Sequence, residues 1–205
     1  MSAIQETIMY FQKGGLVMWP LLFCSIMVIS IAIERFLFYK SVDSGQEFTS
    51  SFCSLLRENL IQEAQSLAED ASGQCAAIVA TAGKIAGGRV QKQAYLESQA
   101  GIFIAQLRNK LDYLGIIVTL SPLLGLLGTI VGMIGAFSIF NLQEGAPLAI
   151  TGGIGEALIA TASGLCVAIL SLCFHSYFNH RMDNMITNME QCFSALLESA
   201  ARSDQ

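Results

Sequence analysis

Charge is what this 205-residue sequence has least of. Asp, Glu, Lys and Arg make up 13% of it, about half the roughly 25% usual for a soluble domain. With 53% hydrophobic residues and a mean hydropathy of +0.55, the chain does not read as an ordinary soluble domain. The net charge of -5 is mild and spread out, and without a lysine- or arginine-rich block nothing points to nucleic acid. Cys24, Cys53, Cys75, Cys166, Cys173 and Cys192 lie far apart with no C-x-x-C pair. That pattern suits small apolar fillers with free thiols better than zinc or disulfides. His175 and His180 have no cysteine or carboxylate partners at ligand spacing and read as interfacial or solvated residues at a helix end. No metal and no organic cofactor is expected. An intramembrane enzyme is not expected either, because no nucleophile is paired with a base. "LGLLGTIVG" lacks the lysine of a phosphate loop, and "GGIGEA" lacks the third glycine of a dinucleotide fingerprint.

What the sequence does have is three long uncharged runs. They are Gly14 to Ile33, Tyr113 to Gln143, and Gly145 to Asn179, where Glu156 is the one formal charge. A spanning helix needs roughly 20 mostly apolar residues, so each run is long enough. The first run does not read as a cleaved signal peptide. It lacks a basic n-region and a small-x-small cleavage site, and Glu34-Arg35 follows directly. Lys13 is the only cation before the first span, whereas Arg35, Lys40, Arg57, Lys84, Arg89, Lys92, Arg108 and Lys110 follow it, and Arg181 and Arg202 follow the third. By the positive-inside rule the N-terminus faces outward and the middle segment and C-terminal tail are cytoplasmic.

The fold class that follows is an all-α membrane protein with three transmembrane helices, two of them extended into the cytoplasm. The expected layout is an amphipathic helix at 1–12 and spans at 13–38, 113–141 and 150–179. A cytoplasmic helical region occupies 39–112, an outer loop 142–149, and a cytoplasmic C-terminal helix 180–205. Phe48, Phe52, Leu55, Leu56 and Leu60 recur at helical spacing until the polar "AEDASGQ" breaks the pattern, and a further helix is expected from Cys75 to Ala86. From about Gln91 no strong breaker precedes Pro122, and Leu96, Phe103, Leu107, Leu111 and Leu114 form one stripe. One long helix is therefore expected to run from the cytoplasm into the second span. The third span carries a stripe out through Met182, Met185, Ile186, Met189, Phe193, Leu196 and Leu197. Such stripes need partners, so the chain is not expected to be a monomer.

In the second span Gly125, Gly128, Gly132 and Gly135 step by three, four and three onto one helix face. Small residues so spaced let membrane helices approach closely, and tight packing is enough to explain them. Thr129 and Ser121 are polar in the same helix, and each either lines a path or bonds to its own preceding turn. In the third span Glu156, Ala160, Gly164 and Ala168 step by four, with Ser163 beside them. Thr161 is five residues past Glu156, about 140° around the helix at roughly 100° per residue. It is off the Glu156 line within one chain. A charge at the centre of a membrane helix costs on the order of 2.5–3.5 kcal/mol and usually lines an ion or substrate path. A carboxyl able to hold and release a proton there is a candidate relay. The alternative is that Glu156, only a few residues into the span, is solvated at the interface.

"LSPLLGLLGTIVGMIGAF" (120–137), "GIGEALIATASGLCVAI" (153–169) and "AIERFLFY" (32–39) together resemble the MotA/TolQ/ExbB proton-channel family, closest to its ExbB and TolQ branch. The resemblance covers most of the chain. It implies a bacterial inner-membrane subunit that forms a homopentamer around a single-span partner like ExbD or TolR, which brings a membrane aspartate. Proton flow down the proton motive force would then drive a periplasm-spanning TonB-like or TolA-like protein. By motif match Glu156, Thr129 and Thr161 take the family's polar pore positions, and Ser163 adds a polar group on the Glu156 face. Two departures stand out: Leu170 replaces a common proline after Ala168-Ile169, and Ser163 replaces an apolar residue. The large insertion of flagellar relatives is not evident. A scaffold that only stabilises its single-span partner is the reading from another class.

Overall fold

The computed structural model describes residues 14–85, 88–142 and 147–203, and the side chains of these except 139–150 and 203. The helix expected at 1–12 lies outside the described residues. Those described form seven helices and no strand: α1 (Met18–Val42), α2 (Gln46–Arg57), α3 (Ile61–Asp70), α4 (Gln74–Lys84), α5 (Arg89–Arg108), α6 (Leu111–Leu142) and α7 (Pro147–Ser203). Three helical stretches, beginning at Met18, Arg89 and Thr151, are long and apolar enough to cross a membrane. The chain divides into two compact units, one from Met1–Ile33 with Lys110–Ser176 and one from Glu34–Asn109 with Tyr177–Gln205.

The first unit inverts the usual distribution of residue sizes. From Val17, just before α1, through Leu21, Cys24, Val28 and Ile31 the buried residues step by four and three, yet Leu22, Phe23, Ile26 and Ile29 are exposed. On α6, Leu123, Leu126, Leu127, Ile130 and Ile134 are exposed, while Ser121 is fully buried. Helices apolar all round belong in a large core or a bilayer, and here the large side chains point outward. Pro122 stays inside α6 rather than ending it. Pro147 opens α7, where its missing N–H costs nothing; the helix thus starts inside the expected 142–149 loop, of which residues 143–146 are not described.

The second unit is built in the opposite way, from amphipathic helices with large residues inside. Phe48, Phe52 and Leu56 of α2, Ile78 and Val79 of α4, Leu96, Phe103 and Leu107 of α5, and Phe178, Met182, Met185, Met189 and Leu196 of α7 are buried. The α7 stripe belongs to one unbroken helix of 57 residues, so the third apolar stretch does continue into the tail helix.

Two breaks depart from the sequence reading. The apolar stripe from Phe48 ends at Asn59 (φ 64), not at the polar run, which splits it into α2 and α3. There Leu60 N–H bonds Leu55 O at 2.9 Å and Asn59 N–H bonds Leu56 O at 3.3 Å, the Schellman pattern that ends helices on a left-handed residue. The long helix expected from Gln91 into the second span is likewise interrupted, at Asn109–Lys110, with Lys110 at φ 67.

That second break has a visible cause in "ERFLFY". A helix ending at Arg108 leaves its last carbonyls without intrahelical donors. Tyr39 Oη donates to Leu107 O at 2.8 Å and Arg35 Nη1 to Gln106 O at 3.1 Å. Both donors lie four residues apart on one face of α1, and both are buried. The Glu34 carboxylate takes two further bonds from the same guanidinium, each at 2.6 Å, which compensates its burial. Tyr39 also packs edge-on against Phe178 at 5.6 Å. Tyr39→Phe removes one cap and strands a buried carbonyl. It is expected to lower stability by about 1–2 kcal/mol, measured by denaturant unfolding of the purified protein in detergent.

Candidate functional site

In the first unit α6 and α7 meet through residues with almost no side chain. A Cβ built on Gly125 would lie 3.1 Å from Thr161 Cα and 3.2 Å from Ala160 O. One on Gly128 would lie 2.5 Å from Ala160 Cβ, and one on Gly132 3.1 Å from Gly153 O and 3.3 Å from Ala157 Cβ. From the α7 side, a Cβ on Gly164 would come within 2.6 Å of Ser121 O. The two backbones therefore approach too closely for ordinary side chains. Such contact is how membrane helices associate when lipid offers no hydrophobic drive. Ala160 is fully buried and Ala168 nearly so.

Gly135 does not belong to this seam, contrary to the packing role expected for it. A Cβ there would meet nothing within 4 Å. The seam steps from Gly132 by four to Ala136, whose Cβ lies 2.5 Å from the position of a Gly153 Cβ. A fourth residue at a step of three falls about 100° short of that line. Gly153, Ala157, Ala136 and Ser171 belong to the seam and escaped the sequence reading. On α7 the signal was present as small residues at steps of either four or three, 153, 157, 160, 164, 168 and 171, rather than a strict step of four.

The polar residues distribute around this contact. Thr161 Oγ1 donates to Gly125 O at 3.1 Å, so it points at α6. Ser171 Oγ donates to Leu114 O at 3.0 Å across the same pair of helices. Thr129 Oγ1 bonds Leu126 O at 2.6 Å, in its own preceding turn. Ser163 is half-buried on the opposite side of Gly164 from Thr161 by helix angle. Glu156 is also half-buried, and its carboxyl occupies the space where a side chain on Gly15 would be. It therefore faces the beginning of α1, while Thr161 faces α6, as their 140° separation requires. Steps of four drift by about 40° per turn, which carries Glu156 from the centre of the seam, held by Gly164, to its edge.

Among the described residues no group of three or more His, Cys, Asp or Glu is placed to hold a metal ion. His175 sits within α7 near Gly115 of α6, not at a helix end. The site thus offers one carboxyl and several hydroxyls along a tightly packed helix pair. Hydroxyls that donate to a carbonyl keep their lone pairs free to accept, and a carboxyl can exchange a proton with water.

The sequence profile of the MotA/TolQ/ExbB proton channel family matches residues 84–191. An ExbB-like biopolymer transport protein of Synechocystis is 34% identical over 170 residues, covering 80% of this chain and 81% of its own. Biopolymer transport protein exbB1 of Vibrio cholerae is 27% identical over 165 residues, covering 77% and 72%. The structure of C. jejuni MotAB superposes with a TM-score of 0.67 at 16% identity, over 92% of this chain and 77% of that one, which shows a shared fold.

Filling the seam should separate its members from its neighbours. Gly128→Val is expected to destabilise the protein by about 1–3 kcal/mol through overpacking, whereas Gly135→Ala should stay within about 0.5 kcal/mol. Denaturant titration of both variants in the same detergent checks the contrast; equal effects would place Gly135 back in the packed face.

Proposed function

This chain belongs to the MotA/TolQ/ExbB proton channel family, and from that premise we propose that it is the channel subunit of an inner-membrane motor driven by the proton motive force. The motor energises a TonB-like or TolA-like protein for outer-membrane transport or maintenance. The family is one of channels rather than catalysts, and no catalytic role is proposed. The observation that carries the reading is Glu156, the one formal charge between Gly145 and Asn179, half-buried at the edge of the α6–α7 seam. Ionisable groups kept inside membrane helices despite their cost mark ion paths.

The chain's spans contain no aspartate to pass the proton onward, so the motor is completed by a single-span partner of the ExbD or TolR kind that brings one. The chain assembles as a homopentamer around that partner, with its N-terminus in the periplasm and its C-terminus in the cytoplasm, as the placement of Lys and Arg favours. The proton is the coupling ion and no cofactor takes part. Thr129, Thr161 and Ser163 are the polar groups that supplement Glu156 along the path.

One observation favours a second reading, in which the chain only scaffolds its partner. The hydroxyls of Thr129 and Thr161 both have partners within the chain, and so do not need a pore to explain them. Glu156 decides between the two. In liposomes carrying the full complex, Glu156→Ala and Glu156→Gln should lower proton flux about tenfold or more, equivalent to a barrier rise of at least about 1.4 kcal/mol, with assembly intact. Full flux in Glu156→Gln would leave the scaffold reading standing.

A further inference from the structure

The start of α1 is an unusual place for the Glu156 carboxyl to lie. Gly15 has φ +71, a left-handed conformation that residues with a Cβ rarely adopt. A Cβ built there would overlap the Glu156 carboxyl oxygen and fall 3.0 Å from Cδ and 3.5 Å from Cγ. Two features thus require the same bare residue, the turn of the backbone and the room taken by the carboxyl. Gly15 O accepts the Met18 N–H at 3.2 Å, so this corner is where the helix begins.

The corner is fixed from several sides. Val17 lies against the seam, its Cβ 3.7 Å from where a Gly128 Cβ would be. Met18 and Leu21 are buried with Val17 in one cluster, with Leu124 of α6 packed on it. Next to the corner, a Cβ on Gly14 would meet Ile159 Cγ2 at 3.3 Å. Ile159 is three residues past Glu156 and so on the same side of α7. Both ends of the contact, the Gly14–Gly15 turn and the Glu156–Ile159 face, are therefore anchored on the α6–α7 pair.

We propose that Gly15 is the positioning residue for Glu156: its bare left-handed corner forms a seat that holds the carboxyl at the seam edge. This rests on the reading of Glu156 as the proton-carrying group. A side chain at Gly15 would fill the seat and turn the carboxyl away into another rotamer, without touching α6 or the threonines.

Two readouts test the seat and the reading separately. The first is the rate at which a hydrophobic carbodiimide modifies Glu156 in membranes containing the full chain, followed by mass spectrometry. The second is proton flux in liposomes carrying the full complex. Gly15→Ala and Gly15→Asn should both speed the modification several-fold and lower flux several-fold. Asparagine tolerates left-handed backbone, so a loss caused by strain alone would appear with alanine and not with asparagine. Shortening the acid in Gly15→Ala/Glu156→Asp should recover part of the flux lost in Gly15→Ala, because the shorter side chain clears the filled seat. Unchanged modification in both single variants overturns the seat, and faster modification with unchanged flux overturns the positioning role. A loss confined to alanine, or no recovery in the double variant, overturns it too. Full flux in Glu156→Gln would instead overturn the proton-path reading and leave the modification result to judge the seat.

Discussion

The first unit depends on the approach of two backbones, α6 and α7, to a distance that admits only small side chains, chiefly glycine and alanine. In a bilayer, removing a leucine from lipid gains nothing, so helix association must come from close van der Waals contact and hydrogen bonds. Gly125, Gly128 and Gly132 supply that contact from one helix, and Gly153, Ala157, Ala160 and Gly164 from the other. Once the backbones are close, Thr161 and Ser171 can reach across to the carbonyls of Gly125 and Leu114. The beginning of α1 then docks on the same pair through Val17. Larger side chains at the seam would move all three helices apart, and Glu156 with them.

The second unit solves a different problem with different residues. Several of its helices end inside it, and their last carbonyls take partners from distant side chains. Arg35 and Tyr39 cap the last carbonyls of α5. Arg202 Nη2 bonds Leu56 O at the end of α2 at 3.1 Å, and Arg181 pairs with Asp43 at 3.0 Å. Long polar side chains with apolar stems suit this role, since they bury the stem and deliver the donor to a helix end. Two of the chain's arginines, Arg35 and Arg202, thus serve to terminate helices.

Much of this was legible in the sequence because composition and spacing carry the physics directly. Uncharged runs of sufficient length read as spans, and the apolar stripe past Met182 needed cover, which most of it has within the chain. The small-residue face of α6 was legible as far as Gly132. It failed at Gly135, because a glycine looks the same at any step while packing follows 3.6 residues per turn and selects Ala136. The breaks at Asn59 and Asn109–Lys110 were not legible, since neither holds glycine or proline. The second is sustained by Arg35 and Tyr39, about 70 residues away in sequence. Gly15 was invisible for a related reason: within "GGLVMWP" it reads as the start of a span, and only the fold brings Glu156 onto it.

These threads meet in a single carboxyl, held on a rigid small-residue scaffold and proposed to take up and release a proton inside the membrane. Infrared difference spectroscopy of the reconstituted full complex, recorded while the buffer pH is stepped, observes that event directly. The account predicts a protonated-carboxyl band that grows and fades with pH in the native protein and is missing from Glu156→Gln. A band that persists unchanged in Glu156→Gln, or no pH-dependent carboxyl band in the native protein, would contradict it.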